Sequence, residues 1–279
     1  MLKKAYLEIT DVCNLNCSFC RGTTREKGFL SVDRFREAAE KLRPYTEYLY
    51  LHLMGEPLLH PQLDEILAAC ARLGFKVVVT TNGALLPQRA ALLAQALALY
   101  KVSVSLHSYE GSGGQPGEPL ERYVNGVCGA VKPLAQRGVI VALRLWNGGG
   151  ADRLNAEILR LLRAQFPGEW REHRTGHALS PNVYLEYGDK FDWPDLAAGE
   201  RDVRFCMGLR DQIGVLYDGT VVPCCLDADG AIPLGNLFTE ALGEILASPR
   251  AKAIYDGFSQ GRAIEPLCQR CGYAERFSG

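Results

Sequence analysis

Two hydrophobic periodicities alternate along the first 165 residues of the chain. Short runs rich in β-branched residues predict strands, and segments with apolar residues three and four positions apart predict helices. The predicted strands are Ala5–Thr10, Tyr48–Leu53, Lys76–Thr81, Val102–His107 and Val139–Leu145. The predicted helices are Ser31–Leu42, Gln62–Leu73, Pro87–Leu99, Leu120–Arg137 and Ala151–Phe166. Strand and helix alternation of this kind indicates a parallel sheet with crossover helices.

Five such units, with a sixth strand near Asn182–Tyr187, predict an α/β fold of the TIM-like type, a partial (β/α)6 barrel. Ser31 is typical of a helix N-cap, and Gly74 is typical of a helix C-terminus. In barrels of this kind the chemistry lies at the carboxyl ends of the strands. We assign residues 1–187 to the barrel.

The pattern changes after Phe166. Residues 167–200 are rich in Trp, His, Pro, Gly and Asp, and predict a linker with one extended segment. Ile213–Tyr217 and Thr220–Pro223 flank Asp218-Gly219, which is a strong two-residue hairpin signal. Helices are predicted at Thr239–Ala247 and Pro249–Phe258. We therefore assign residues 188–279 to the linker and a small C-terminal hairpin and helix domain.

Charge and hydropathy exclude several classes of protein. The 279 residues carry a net charge of −1 and no long basic run, which argues against strong non-specific binding to nucleic acid. No apolar run approaches the roughly 18 residues of a membrane span, and the N-terminus lacks a signal peptide. We therefore predict a cytoplasmic protein with no membrane partner. Ten cysteines in that reducing compartment favour metal ligation over disulfides.

Three of these cysteines, Cys13, Cys17 and Cys20, lie close together just past the first predicted strand. Such a triplet can ligate three corners of an iron–sulfur cube and leave the fourth iron open for a substrate or cosubstrate. The spacing resembles the signature of the radical S-adenosylmethionine (SAM) superfamily, in which an aromatic residue such as Phe19 precedes the last cysteine. The resemblance implies a SAM-binding 4Fe–4S cluster and reductive cleavage of SAM to a 5′-deoxyadenosyl radical. That radical removes a hydrogen atom from a substrate C–H bond.

A second group, Cys206, Cys224, Cys268 and Cys271, supplies four thiols. Four thiolates could hold zinc or complete an iron–sulfur cube. Together with the triplet, the pattern Cys206-x12-Gly219-x4-Cys224 resembles the auxiliary-cluster region of the SPASM/twitch branch of the superfamily. No further cysteine follows Cys271, so the resemblance is to the shorter twitch form with one auxiliary 4Fe–4S cluster. The four cysteines are the expected metal ligands of that cluster.

The remaining three cysteines have less specific interpretations. Cys225 could be an alternative ligand, a substrate-facing thiol or a bystander on a strand. Cys70 and Cys128 lie within helical patterns, and we expect both to be buried in the core.

The resemblance also implies a SAM pocket. Gly55, Glu56 and Pro57 follow the second predicted strand and are similar to the Gly-Gly-Glu-Pro motif that holds the SAM amino group. Met54 replaces the first glycine. Asn82 ends the third strand and could line the same pocket, or could serve only the turn there.

Further SAM contacts are implied on later elements. Ser105 resembles a serine that contacts SAM, and His107 lies two residues further along the same face. Arg122 and Arg144 compete for the SAM carboxylate, for which a guanidinium has suitable bidentate geometry. Either arginine could instead form an exposed salt bridge. Asn147 could reach the adenine or the ribose.

The auxiliary cluster could accept the electron of the substrate radical, which would make the reaction a net oxidation. Alternatively it could ligate the substrate or relay electrons. A cluster with four thiolate ligands favours electron acceptance. An oxidation also needs a base, and Asp227 is the candidate, although turn and N-cap carboxylates are the competing interpretation. An external one-electron donor such as flavodoxin or ferredoxin would supply the reducing electron.

The substrate is less well defined by the sequence. The predicted barrel begins within four residues of the start, so we expect no N-terminal recognition domain. This favours a small molecule, or a peptide or protein side chain held at the barrel mouth. One alternative is a radical SAM enzyme that modifies RNA, against which the near-neutral charge argues. An alternative of another class is a non-catalytic zinc-binding structural or regulatory protein.

Overall fold

The computed structural model describes residues 1–114 and 118–277. Its described strands form one sheet in the spatial order β11-β10-β9-β1-β2-β3-β4-β5-β8-β7-β6. The strands are β1 Lys4–Leu7, β2 Tyr48–Tyr50, β3 Lys76–Thr81, β4 Leu99–Ser105, β5 Ile140–Gly148, β6 Arg171–His173, β7 Gly176–Ser180, β8 Val183–Asp189, β9 Gln212–Val215, β10 Thr220–Val222 and β11 Gly235–Asn236. The α-helices are α1 Val32–Leu42, α2 Leu63–Leu73, α3 Leu86–Gln95, α4 Ser108–Gly111, α5 Leu120–Gln136, α6 Asn155–Gln165, α7 Leu242–Ala247 and α8 Pro249–Ser259.

The centre of the sheet consists of parallel strands joined by helices. β1, β2, β3, β4, β5 and β8 lie side by side, and each neighbouring pair is parallel. The crossover helices pack against one another, α1 with α2 and α3 with α5. This arrangement confirms the predicted α/β class and the partial (β/α)6 TIM-like barrel, with β8 as the sixth strand.

The local signals for helix ends are confirmed. The Ser31 side chain accepts a hydrogen bond from the N–H of Arg34 at the start of α1. Gly74 ends α2 in the left-handed conformation, at φ 73°. Cys70 and Cys128 are fully buried in the core, as expected. Among the residues that the structure describes, no helix is both long and apolar enough to cross a bilayer.

The prediction of a single extended segment in residues 167–200 was wrong, because β6, β7 and β8 all lie there. β6 and β7 form an antiparallel hairpin, with Arg174 in the left-handed conformation at its turn. The sequence Arg-Glu-His of β6 is mostly exposed and has no apolar alternation. An edge strand of this kind depends on backbone hydrogen bonds rather than on side-chain burial, so its sequence carries little signal.

A hairpin around Asp218-Gly219 is confirmed, with β9 antiparallel to β10, but its turn is longer than the predicted two residues, because β9 ends at Val215 and β10 begins at Thr220. β9 also pairs in parallel with β1, in the register Lys4↔Gln212 to Leu7↔Val215. The C-terminal hairpin therefore extends the barrel sheet at its first strand. The division of the chain at residue 187 stays a prediction.

Candidate active site

Cys13, Cys17 and Cys20 lie on the loop that follows β1. Cys13 and Cys20 are exposed and Cys17 is half-buried. The loop rests on α4, where Ser18 donates its N–H to the carbonyl of Gly111 at 2.7 Å. Burial raises the pKa of the Cys17 thiol to about 12, so metal binding is what would ionise it. Three thiols on one accessible loop suit a site-differentiated iron–sulfur cube.

Phe19 is fixed between the end of β4 and the segment after β8. Its ring lies 4.7 Å from the ring of His107, centroid to centroid. Its carbonyl accepts the indole N–H of Trp193 at 2.9 Å. A Cβ at Gly111 would overlap the Phe19 ring, so this close packing requires glycine there.

The Gly55-Glu56-Pro57 turn packs directly against the cysteine loop. Gly55 has φ +74°, and a Cβ at this position would lie 2.5 Å from the carbonyl oxygen of Thr10. The N–H of Glu56 donates to the carbonyl of Val12 at 2.8 Å. Pro57 begins a 3-10 turn, Pro57–Leu59. The turn therefore brings the Glu56 backbone and side chain beside the triplet.

The Glu56 carboxylate is buried and accepts N–H groups from Leu58 at 3.1 Å and Asn82 at 2.7 Å. Burial raises the pKa of Glu56 to about 7, and these hydrogen bonds oppose the shift. The Asn82 amide donates to the side-chain oxygen of Asn14 at 2.9 Å and lies 3.9 Å from the Cys13 sulfur. Asn82 and Glu56 thus meet at the cysteine loop, although they come from different strand ends.

Ser105 and Arg144 are neighbours, because they pair in register on β4 and β5. His107 follows on the same side, with its Nδ1 atom 3.1 Å from the Arg144 carbonyl oxygen. Burial lowers the pKa of His107 to about 4, so the ring is neutral near pH 7. Arg122 lies elsewhere, on the exposed face of α5.

Asn147 is buried and engaged in the turn between β5 and α6. Its side-chain amide donates to the carbonyl of Ala151 at 2.6 Å and to the side-chain oxygen of Asn155 at 3.0 Å. Asn155 returns a hydrogen bond to the Asn147 side-chain oxygen at 3.1 Å. Hydrogen bonds within the turn therefore satisfy both the nitrogen and the oxygen of the Asn147 side chain.

The second cysteine group comes from three separate segments. Cys206 precedes β9 and Cys224 follows β10, while Cys268 begins the 3-10 turn Cys268–Arg270 and Cys271 directly follows that turn. Burial raises the pKa of Cys224 well above its usual range, and the charges of Cys206 and Cys268 add to the shift. The fold therefore gathers these four thiols into one neighbourhood.

Four gathered thiols could hold a zinc ion or an iron–sulfur cluster. In residues 1–114 and 118–277, no three His, Cys, Asp or Glu side chains converge on the position of a single metal ion.

A cavity of about 550 Å³ lies between the barrel strands and this second cysteine group. One wall includes the four thiols and Cys225, and the opposite wall comes from β1, β2, β3 and β5. Sequence reasoning missed the barrel side chains of this cavity, which include Lys4, Tyr6, Tyr50, His52 and Trp146. The signal that could have identified them is their period of two, because residues two positions apart along a strand lie on the same face of the sheet. The positions that show it are 4 and 6 on the first strand, and 48, 50 and 52 on and just after the second.

Cys225 and Asp227 both line the cavity. Burial raises the pKa of the Cys225 thiol, and a hydrogen bond with Tyr6 opposes the shift. Both Asp227 oxygens accept backbone N–H groups, from Ala231 and from Ile232, each at 2.8 Å. These bonds hold the turn after Cys224, which agrees with the turn interpretation of this carboxylate.

Two family models match the chain. The radical SAM superfamily model matches residues 7–127, and the model for the iron–sulfur cluster-binding SPASM domain matches residues 206–272. The second match assigns iron–sulfur chemistry, rather than zinc, to the C-terminal cysteines. SAM and iron–sulfur clusters are therefore the cofactors of this chain.

Several curated proteins are similar to parts of the chain. A probable GTP 3′,8-cyclase of Aeropyrum pernix is 40% identical over 121 residues, which are 38% of this chain and 32% of the relative. A GTP 3′,8-cyclase of Stenotrophomonas maltophilia is 32% identical over 184 residues, 62% of this chain and 52% of the relative. The AdoMet-dependent heme synthase of Methanosarcina barkeri is 30% identical over 128 residues, 43% of this chain and 36% of the relative. The chain thus spans about a third to a half of the length of these relatives.

Solved structures share the fold at low sequence identity. BtrN in complex with AdoMet and 2-DOIA superposes with a TM-score of 0.64 at 18% identity, over 97% of this chain and 93% of BtrN. Streptococcus suis SuiB bound to S-adenosylmethionine superposes with a TM-score of 0.63 at 16% identity, over 100% of this chain and 75% of SuiB.

Proposed function

This chain belongs to the radical SAM superfamily and carries a SPASM-type cluster domain, and we propose that it oxidises a substrate C–H bond with its auxiliary cluster as electron acceptor. The observation that carries the proposal is the cavity whose wall contains Cys206, Cys224, Cys268 and Cys271. A substrate in this cavity lies beside the auxiliary cluster, so an electron has a short path to it.

The residues of the first site have separable roles. When bound, the cluster and SAM supply one-electron reductive cleavage and abstraction of a hydrogen atom from a C–H bond. Cys13, Cys17 and Cys20 hold the SAM-binding 4Fe–4S cluster. Glu56 is fixed by two backbone N–H groups and orients the SAM amino group, with Asn82 beside it.

Arg144 binds the SAM carboxylate in this proposal. The position of Arg144 beside Ser105 at the strand ends supports this role for Arg144 rather than for Arg122, which is exposed on α5. The ring of Trp146 lies 4.4 Å from the Arg144 guanidinium carbon and limits its motion. Phe19 packs on His107 and holds the cluster loop against the end of β4.

The auxiliary site would use Cys206, Cys224, Cys268 and Cys271 to hold a 4Fe–4S cluster with no open iron. Full thiolate ligation supports electron acceptance over substrate ligation. Asp227 is the carboxylate available to take the proton of an oxidised substrate. To accept that proton, one of its oxygens gives up the backbone hydrogen bond from Ala231 or Ile232. An external flavodoxin or ferredoxin would deliver the reducing electron.

The substrate is a small molecule or a peptide or protein side chain, because a cavity of about 550 Å³ accommodates a group of that size. An RNA substrate has less support, since the chain carries a net charge of −1.

The test uses protein reconstituted with iron and sulfide without oxygen. We expect about eight irons per chain and, with SAM and dithionite, formation of 5′-deoxyadenosine. Cys13→Ala should abolish this product while about four irons remain in the auxiliary cluster. Colourless, zinc-loaded protein, or SAM cleavage retained by Cys13→Ala, would refute the assignment.

A further inference from the structure

Lys4 is a cation in the cavity wall, and within residues 1–114 and 118–277 no carboxylate forms an ion pair with it. Other basic side chains of this wall are paired, Lys3 with Asp211 at 2.7 Å and Arg144 with Glu186 at 3.4 Å. Across the part of the chain that the structure describes, no acidic oxygen lies within 4.0 Å of the Lys4 ammonium. Asp211 and Cys225 favour the charged form of Lys4 only from a longer range, without an ion pair.

Two aromatic rings hold the Lys4 ammonium in place. Its nitrogen lies 5.2 Å from the ring centroid of Tyr6 and 5.1 Å from that of Tyr50. Contacts of this kind orient a cation but do not neutralise it. Burial lowers the pKa of Lys4, which reflects the cost of holding its charge away from water.

The carboxylates at or behind this wall are already engaged. Asp211 pairs with Lys3, and the Asp227 oxygens accept two backbone N–H groups. Glu186 lies between Lys101 and Arg144, at 3.1 and 3.4 Å. None of these three carboxylates is therefore free to form a direct ion pair with Lys4.

We propose that the substrate carries an anionic group, a carboxylate or a phosphate, which Lys4 binds between the rings of Tyr6 and Tyr50. The inference rests on the proposed function, because it assigns a substrate class to the same cavity. A partly buried cation is costly without a counter-charge, and a bound anion supplies it. The aromatic side chains of Tyr48, Trp146 and Phe191 offer apolar walls for the rest of the molecule.

The test measures binding to the reconstituted holoenzyme in saturating SAM, so that the site for the SAM carboxylate is filled. The probes are benzoate, phenyl phosphate and benzylammonium, which share a phenyl ring and differ in charge. Titration calorimetry and the shift in unfolding temperature report binding. We expect at least one of the two anions to bind at least tenfold more tightly than benzylammonium. The tighter anion identifies the substrate group as a carboxylate or a phosphate.

Variants of two adjacent lysines then locate the anion. Lys4→Met should weaken anion binding at least tenfold, and Lys4→Arg should retain most of it. Lys3→Met is the matched control, because the exposed Lys3 ammonium is paired with Asp211, and it should leave anion affinity unchanged. Iron content and SAM affinity check that each variant folds. The comparison of probes on the unmodified enzyme tests the proposal independently of the variants.

Three results would overturn the inference: benzylammonium binding as tightly as the anions, no binding of either anion, or unchanged anion affinity in folded Lys4→Met. Anion selectivity in a protein that cannot cleave SAM would support the inference of an anionic ligand and refute the proposed function. SAM cleavage without anion selectivity would refute the inference about the substrate and leave the proposed function standing.

Discussion

The carboxylate of Asp229 accepts the backbone N–H of Thr24 at 2.8 Å. The same oxygen accepts the Thr23 hydroxyl at 2.8 Å, and the other oxygen pairs with Arg21 at 3.1 Å. Residues 21–24 directly follow the cysteine triplet, and Asp229 follows Cys224 by five residues. One carboxylate therefore connects the loop of the SAM-binding cluster with the loop of the auxiliary cluster.

Loss of this connection should destabilise the first cluster. Asp229→Ala should cost about 1 to 3 kcal/mol, because it removes hydrogen bonds to a charged acceptor. We expect a lower unfolding temperature and faster loss of iron in air. Asp202→Ala is the control, since Asp202 is exposed and pairs with its neighbour Arg204 at 2.7 Å. Identical melting of the two variants would contradict the structural role of Asp229.

A methyl group at Gly55 should disrupt the SAM pocket. Gly55→Ala places a side chain in the left-handed region and against the Thr10 carbonyl, and should cost at least about 2 kcal/mol. We expect SAM affinity, measured by equilibrium dialysis, to fall at least tenfold. Gly129→Ala on the exposed face of α5 meets no atom within 4 Å. It should raise the free energy of unfolding by about 0.5 to 1 kcal/mol. Tight SAM binding by Gly55→Ala would show that this turn is more adaptable than its contacts imply.

The adjacent cysteines Cys224 and Cys225 should differ in iron binding. Cys224→Ser removes a proposed cluster ligand, so iron should fall from about eight to about four per chain. Cys225→Ser should keep about eight irons, because Cys225 contacts Tyr6 rather than completing the four-thiol set. Iron analysis and electron paramagnetic resonance of the reduced proteins distinguish the two. The opposite pattern of iron contents would show that Cys225, and not Cys224, is the cluster ligand.

His52 should make the protein acid-sensitive. Burial lowers the pKa of His52 to about 3, and the charges of Arg144 and Lys4 add to the shift. In the unfolded chain a histidine titrates near 6.5. Between these values the unfolded state binds the extra proton, so stability is present above about pH 6.5 and is lost as the pH falls towards 3.

The comparison of wild type with His52→Gln isolates this effect. Between pH 8 and 5.5 the wild type should lose about 1 kcal/mol more stability than the variant. Anaerobic thermal unfolding at the two pH values measures the difference. An equal loss in both proteins would show that His52 becomes protonated in the folded state.

Local chemistry made much of the fold predictable. Lys76–Thr81 was predicted with the same bounds as β3, because a continuous Val-rich run is typical of a strand buried on both faces. Asp218-Gly219 specified the β9–β10 hairpin through glycine at a turn that needs positive φ. β6 was missed because an exposed edge strand has no apolar pattern.

The sequence by itself determined the cysteine triplet, the Gly-Glu-Pro turn and the alternation that builds a parallel barrel, because each is encoded in residues close together along the chain. Only the tertiary structure decided that β9 joins the sheet beside β1 and that the Lys4 ammonium lies over the Tyr50 ring in the wall of a cavity. It also decided that Asp229 reaches Thr24. These relationships join residues tens to hundreds of positions apart, and their geometry follows from strand order and register, which local pattern does not fix.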